Sequence, residues 1–219
     1  MELNTLKNIR LVYPGFLATI LLGVWLMEND ASSIKDLVII GVTIKSEAII
    51  PGFFVLFGAL YYAFSARNII WKPAMKKVAD NINSQLLSIA GLKSSVILSN
   101  SQKSSFQHCV FYHFIDTDQS LTIKSSNVRQ NGCILSCAVD TMLFLTVYII
   151  ILAVIAIITH TKLSFSFWVA IFIDFISIPT IILLLRKHIA LSNEQLRIIR
   201  TNHGKECKEK VLEIVHSAN

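Results

Sequence analysis

Two long apolar runs lie back to back in the second half of the chain. Residues 139–160 (VDTMLFLTVYIIILAVIAIITH) and 167–185 (FWVAIFIDFISIPTIILLL) each hold about 20 residues, enough to cross a hydrocarbon core about 30 Å thick. The link HTKLSFS between them allows only a tight turn, so the pattern predicts a membrane hairpin over 139–187 that stops at the basic triplet Arg186, Lys187 and His188. Earlier runs, Leu11 to Met27 and about Ala48 to Phe64, predict two further spans. Leu37 to Ile44 is apolar as well, but fusing it to the run that ends at Phe64 makes a segment of 28 residues, about 42 Å of helix, interrupted by Lys45 and Glu47. A break is therefore expected there, with Leu37 to Ile44 on the membrane surface or packed on neighbouring spans. Ser46 is the expected N-cap of the second span, and Pro51 is tolerated in its first turns.

Between the second and third spans the periodicity changes. From Lys72 to Gly91, residues Met75, Val78, Ala79, Ile82, Leu86 and Ile89 recur at intervals of three and four, which predicts an amphipathic helix continuing span two, kinked at Pro73 and stopped by Gly91. Ser105 to Ile115 is rich in aromatic and β-branched residues and Ser120 to Val128 repeats the pattern after a turn at Asp116 to Gln119. These predict a β-hairpin, joined by a third strand from Ser95 to Leu98 and closed by Asn131-Gly132. In the tail, Ser192 and Gln195 have capping-box spacing, a break is expected at Asn202 to Gly204, and Lys205 to Val215 is helical. The expected fold class is a mainly α membrane protein, a four-helix transmembrane bundle with a small cytoplasmic α+β insertion and a helical cytoplasmic tail. Its segments are 1–65 (spans one and two), 66–138 (insertion), 139–187 (spans three and four) and 188–219 (tail). Insertion and tail together are marginal in size for an independent fold.

Composition agrees with the membrane reading: 53% of the 219 residues are hydrophobic, 16% are charged, and the mean hydropathy is +0.60. The net charge of +6 fits retention of Lys and Arg on the cytoplasmic side. Residues 28–47 carry Glu28, Asp30, Asp36 and Glu47 against Lys35 and Lys45, which suits the outer side, so both termini are expected in the cytoplasm. The first run resembles a signal peptide, yet its length, Trp25 at its far end and the poor cleavage context MENDASS favour an uncleaved span. Cys109, Cys133, Cys137 and Cys207 fall on the cytoplasmic side of this topology and are expected as reduced thiols.

Asp174 changes the picture most, because a carboxylate near the middle of a span is costly and signals function. Depth counting makes Thr19 and Tyr148 its expected polar neighbours. An ion or proton relay, or a ring of carboxylates in an oligomeric pore, stands beside a hydrogen-bonded Asp that fixes helix association. Pro179, a turn or so further on, could free carbonyls nearby. His108, Cys109, His113, Cys133 and Cys137 lack metal-ligand spacing, so no metal and no cofactor is expected. Enzyme motifs are missing: the chain contains no G-x-x-x-x-G-K, G-x-S-x-G or H-E-x-x-H, and Asp116 with Asp118 reads as turn chemistry. No catalytic residue is assigned. Arg67, Lys72, Lys76 and Lys77, together with Arg186 and Lys187, form juxtamembrane basic positions for lipid or for a partner protein.

The layout of two spans, insertion, two-span hairpin and tail, with the runs PGFLATILLGVWLM, PGFFVLFGALYYAF and FWVAIFIDFISIP, resembles the membrane subunit of Kiwa-type bacterial anti-phage defence. That resemblance implies a homotetramer in the bacterial inner membrane that detects phage-induced membrane disturbance and works with a cytosolic DNA-binding partner; it carries over no catalytic residue. Two functional classes follow. One is a membrane sensor and scaffold that recruits a cytosolic protein and does not itself bind nucleic acid. The other is a small oligomeric ion channel or membrane-permeabilising protein with Asp174 in its lumen.

Overall fold

The structure, a computed structural model, describes residues 3–28, 36–39, 42–45, 59–61, 63–93 and 98–216. Helix α1 spans Leu3–Glu28. Strands β1 (Asp36–Ile39) and β2 (Val42–Lys45) follow, then helices α2 (Asn68–Ile89), α3 (Asn100–Ser105), α4 (Tyr112–Thr117), α5 (Gln119–Thr159) and α6 (Phe165–His216); a π-helical turn, Phe106–Phe111, separates α3 from α4. The fold is mainly α. Helices α1, α5 and α6 are long and apolar enough to cross a membrane. The span expected over 48–64 lies mostly outside the described residues, within which 59–61 and 63–64 are helical, so the described residues hold three spanning-length helices instead of a bundle of four.

Within the apolar stretch from Leu37 to Ile44, residues 37–39 and 42–44 belong to the antiparallel β1–β2 pair, with Leu37 opposite Ile44 and Ile39 opposite Val42. Its run of β-branched residues suits extended backbone better than helix.

The insertion corrects the sequence reading. Both arms of the β-hairpin expected over 105–128 are helical: 105–117 belongs to α3, the π turn and α4, and 120–128 is the start of α5. The reason lies in a stripe at intervals of four. Phe106, Val110 and Phe114 form one row and Phe111 and Ile115 a second, all buried, so burial of the stripe overrides the β propensity of the individual residues. Residues 94–97 of the expected third strand lie outside the described set, and Leu98 has no regular structure. Asp118 is a turn residue, but between helices: its Oδ1 accepts from the backbone N–H groups of Ser120 at 2.8 Å and Leu121 at 3.4 Å, capping α5. Asn131-Gly132 does not end an element; both residues lie inside α5.

Chain contacts divide the molecule into two compact units, Met1–Ile70 with Cys133–Ile182, and Trp71–Gly132 with Leu183–Asn219. In the first, Leu145, Tyr148 and Leu152 of α5 pack with Phe167 and Ala170 of α6, and Leu21 and Trp25 of α1 lie against them. The inward stripe of α6 runs Phe167, Ala170, Ser177 and Ile181, with half-buried Asp174 at the intervening turn. Phe165, Trp168, Phe172 and Phe175 are exposed on the same helix, as lipid-facing residues are.

The second unit has a core of Val78, Ile82 and Leu86 from α2, Phe106, Val110, Phe114 and Leu121 from the insertion, and Leu196, Ile199, Cys207 and Val211 from α6. Full burial of each large side chain contributes about 1.5–3 kcal/mol. Gly91, at φ +78°, provides the expected stop after α2, because the left-handed conformation there suits glycine. Pro73, where a kink is expected, lies inside α2, and the chain breaks further back: Ser65 adopts φ +50°, residues 65–67 form a turn, and α2 begins at Asn68. Asn81 of α2 donates to the Asn193 side chain at 2.7 Å and Arg200 donates to Ser88 Oγ at 3.2 Å, a constant offset, so α2 and α6 run parallel within this unit.

The tail is one helix with α6, so the capping box at Ser192 does not form; Ser192 Oγ donates instead to the His188 carbonyl at 3.0 Å. The expected break is present as a kink, with His203 at φ −125°, ψ 20°. There His203 Nε2 lies 2.9 Å from Asp118 Oδ2 and its ring stacks on Phe114 with centroids 5.1 Å apart. Hydrogen bonds from Ser120, then His203, hold the Asp118 carboxyl well below the usual carboxylate range. Because the folded-state value is the lower one, the resulting stability is present at neutral pH and disappears as the pH falls below about 4. Asp118→Asn should therefore flatten the acid limb of the melting-temperature profile, and an unchanged limb would show that the cap carries no pH dependence.

Candidate functional site

The first unit holds a buried charge centre at Asp140, on α5. Its side chain is 0% exposed. Arg67 donates to it through two nitrogens, Nε to Oδ1 at 2.8 Å and an Nη to Oδ2 at 2.5 Å, and the Tyr61 hydroxyl donates to Oδ1 at 2.5 Å. This is bidentate guanidinium recognition, the geometry in which a charge-assisted pair is strongest. The left-handed Ser65 and the turn after it bring Arg67 back toward α5, and backbone bonds from Asn68 and Ile69 to Ser65 and Ala66 fix that turn. Arg67 also donates to the Arg10 carbonyl at 3.2 Å, so one guanidinium bridges α1 and α5. Around it, Tyr13 and Thr141 share a hydrogen bond at 2.9 Å and the Tyr61 and Phe144 rings lie 4.9 Å apart. Beside this centre a cavity of about 650 Å³ is lined mainly by apolar side chains, among them Leu21, Trp25, Leu60, Phe144 and Leu152.

Asp174 lies on the α5–α6 seam. Its Oδ2 accepts from Thr146 Oγ1 at 3.2 Å, while its Oδ1 is buried without a hydrogen-bond partner. The neighbours expected from depth counting are elsewhere: Thr19 donates to the Gly15 carbonyl of its own helix at 2.9 Å, and Tyr148 pairs with Ser166 at 3.1 Å. Facing residues in this hairpin are paired closer to its base than equal counting from the loop implies, which makes Thr146 the partner. At the loop end, Glu28 accepts from the Ser166 backbone at 2.9 Å and from the Ser166 hydroxyl, so the end of α1 caps the start of α6.

The basic positions separate into two groups. Arg67, expected at the lipid or partner surface, is turned inward as the counter-ion of Asp140. Lys72, Lys76, Lys77, Arg186 and Lys187 are exposed. The cysteines are free thiols, with Cys109 exposed and Cys133 and Cys207 buried; burial pushes the Cys207 thiol up to about 11.

Sequence reading missed the Asp140 centre. Asp140 stands at the edge of an apolar run, where it passes for a boundary marker, and its partners are 73 and 79 positions away. The available signal was that the same run would have to bury a carboxylate, which demands a cation nearby. The arrangement contains no nucleophile–base pair; it joins three chain segments through one carboxylate–guanidinium pair. Comparison with protein-family models, curated proteins and solved structures finds no match, so the functional reading rests on these residues alone.

Proposed function

We propose that the chain is a membrane-embedded sensor and scaffold of the bacterial inner membrane, of the kind used in anti-phage defence, that assembles with copies of itself and recruits a cytosolic effector. The observation that carries this reading is the second unit. It has a core of its own, built partly from continuations of α5 and α6, and it is far larger than a connection between spans requires. It also contains 14 Lys and Arg against 7 Asp and Glu, net +7, while the remaining residues carry 6 against 7, net −1. That asymmetry supports a cytoplasmic unit, with 28–47 on the outer side.

The alternative, an ion channel with Asp174 in its lumen, draws on the unpartnered Oδ1. The place of Asp174 on the seam between its own helices favours an association role instead. Flux through proteoliposomes, oligomeric state and co-purification of a soluble partner are to be measured for wild type and Asp174→Asn. The scaffold reading expects a partner to be captured by both proteins and no flux from either. It fails if the substitution leaves assembly and capture intact but abolishes a flux that the wild type supports.

A further inference from the structure

Three helices of the second unit carry exposed cations at one level. The parallel α2–α6 register, from Asn81 beside Asn193 and Ser88 beside Arg200, extends back about one to two and a half turns to set Lys72, Lys76 and Lys77 alongside residues 184–189 of α6, where Arg186 and Lys187 stand. The Asn131 side chain of α5 donates to the Leu184 carbonyl at 3.0 Å and lies 3.3 Å from His188 Nδ1, which brings Arg129 of α5 to the same level. All six cations are exposed. The stretches that supply them, 68–79, 119–139 and 175–193, contain no Asp or Glu; the nearest acid on α2, Asp80, stands one turn beyond Lys76 and is engaged by Lys103 at 3.9 Å.

We infer that these six residues form a collar that binds the headgroups of anionic phospholipids in the surrounding bilayer. The position favours lipid: Leu183, 64% exposed, precedes Arg186 by about 4.5 Å of helix rise, so the cations follow directly on an apolar surface that only hydrocarbon suits. Half-buried Trp71, next to Lys72, adds the aromatic residue usual at a membrane interface. Distribution over three helices also suits a mobile ring of small anions better than a single rigid polyanion, and the collar lacks the row of aromatics on which single-stranded nucleic acid stacks. Arg67 takes no part, being committed to Asp140. The inference requires only that α5 and α6 lie in a bilayer; it stands whether or not the chain is a defence scaffold.

Full-length protein in nanodiscs of mixed phosphatidylcholine and phosphatidylglycerol tests it, with the relative association constant of spin-labelled phosphatidylglycerol as readout. Wild type should prefer the anionic lipid, and Lys72→Gln/Lys76→Gln/Arg186→Gln should lower the preference by about five-fold for each charge that contacts a headgroup. Lys205→Gln/Lys208→Gln/Lys210→Gln, which removes as many charges further along α6, should leave it within two-fold of wild type. If the first variant fails to fold, the charge-conserving set Lys72→Arg/Lys76→Arg/Arg186→Lys should retain the preference and lose it in high salt. Equal preference in wild type and the first variant, or equal loss in both glutamine variants, overturns the collar. So does tight binding of a DNA duplex or acidic polypeptide to wild type in phosphatidylcholine alone that the first variant abolishes, since the surface would then belong to that partner.

Discussion

Asp140→Asn is expected to lower the stability of the detergent-solubilised protein by about 3–5 kcal/mol, the cost of breaking a buried ion pair by removing one partner. The wild-type carboxylate accepts three short hydrogen bonds and is sealed from solvent, whereas the amide offers Arg67 one acceptor oxygen and leaves the guanidinium without a counter-ion. Arg67→Gln strands the carboxylate instead and should cost a similar amount. Tyr61→Phe removes a single donor and should cost about 1–3 kcal/mol. The decisive measurement is a double-mutant cycle. Asp140→Leu/Arg67→Met, which removes both charges, should recover most of the loss, because a buried pair replaced by apolar side chains is often neutral. If the double variant is as unstable as the two single losses added together, the pair is not coupled and the centre is only a packing site.

Phe114→Ala should be nearly as damaging, at about 3–5 kcal/mol, and for a different reason. Phe114 is 1% exposed in the core of the second unit and is the surface on which His203 stacks. Truncation opens a cavity and removes the apolar backing of the tail kink. The loss should therefore appear together with faster amide exchange around 203–211, while the residues of the first unit keep their protection. Uniform loss of protection across the whole chain would show that the core around Phe114 does not set the stability of its own unit.

The three helices of spanning length were legible because length and apolarity are enough to announce them. The amphipathic face of α2 was legible for the same kind of reason, its period being unbroken from Met75 to Ile89. Ser105 to Ile115 was not, because its residue types speak for strand while its spacing speaks for helix, and the π turn at Phe106–Phe111 blurs that spacing locally. Two of the S-x-x-Q segments show how much context matters. Ser99 and Gln102 form a true capping box, each accepting the other's backbone N–H, and the chain before them has already been stopped at Gly91. Ser192 and Gln195 have the same spacing, but the helix before them has no reason to end, so the hydroxyl turns back to its own previous turn. Asp174 was legible as an anomaly but not in its pairing, since Thr146 rather than Tyr148 faces it. The Asp140 centre depends on a left-handed serine and on contacts across more than 70 positions, neither of which leaves a local pattern.

The cysteines of the second unit give the molecule a chemical clock of its own. Cys109 sits exposed on the π turn, open to an alkylating reagent at all times, whereas Cys207 is sealed in the core with its thiolate scarce at neutral pH. Cys207 is reached only when the unit opens, so the ratio of the two alkylation rates within one sample reads the frequency of opening without any engineered label. Followed in membranes under stress, that ratio separates a unit that loosens when the bilayer is disturbed from one that stays shut.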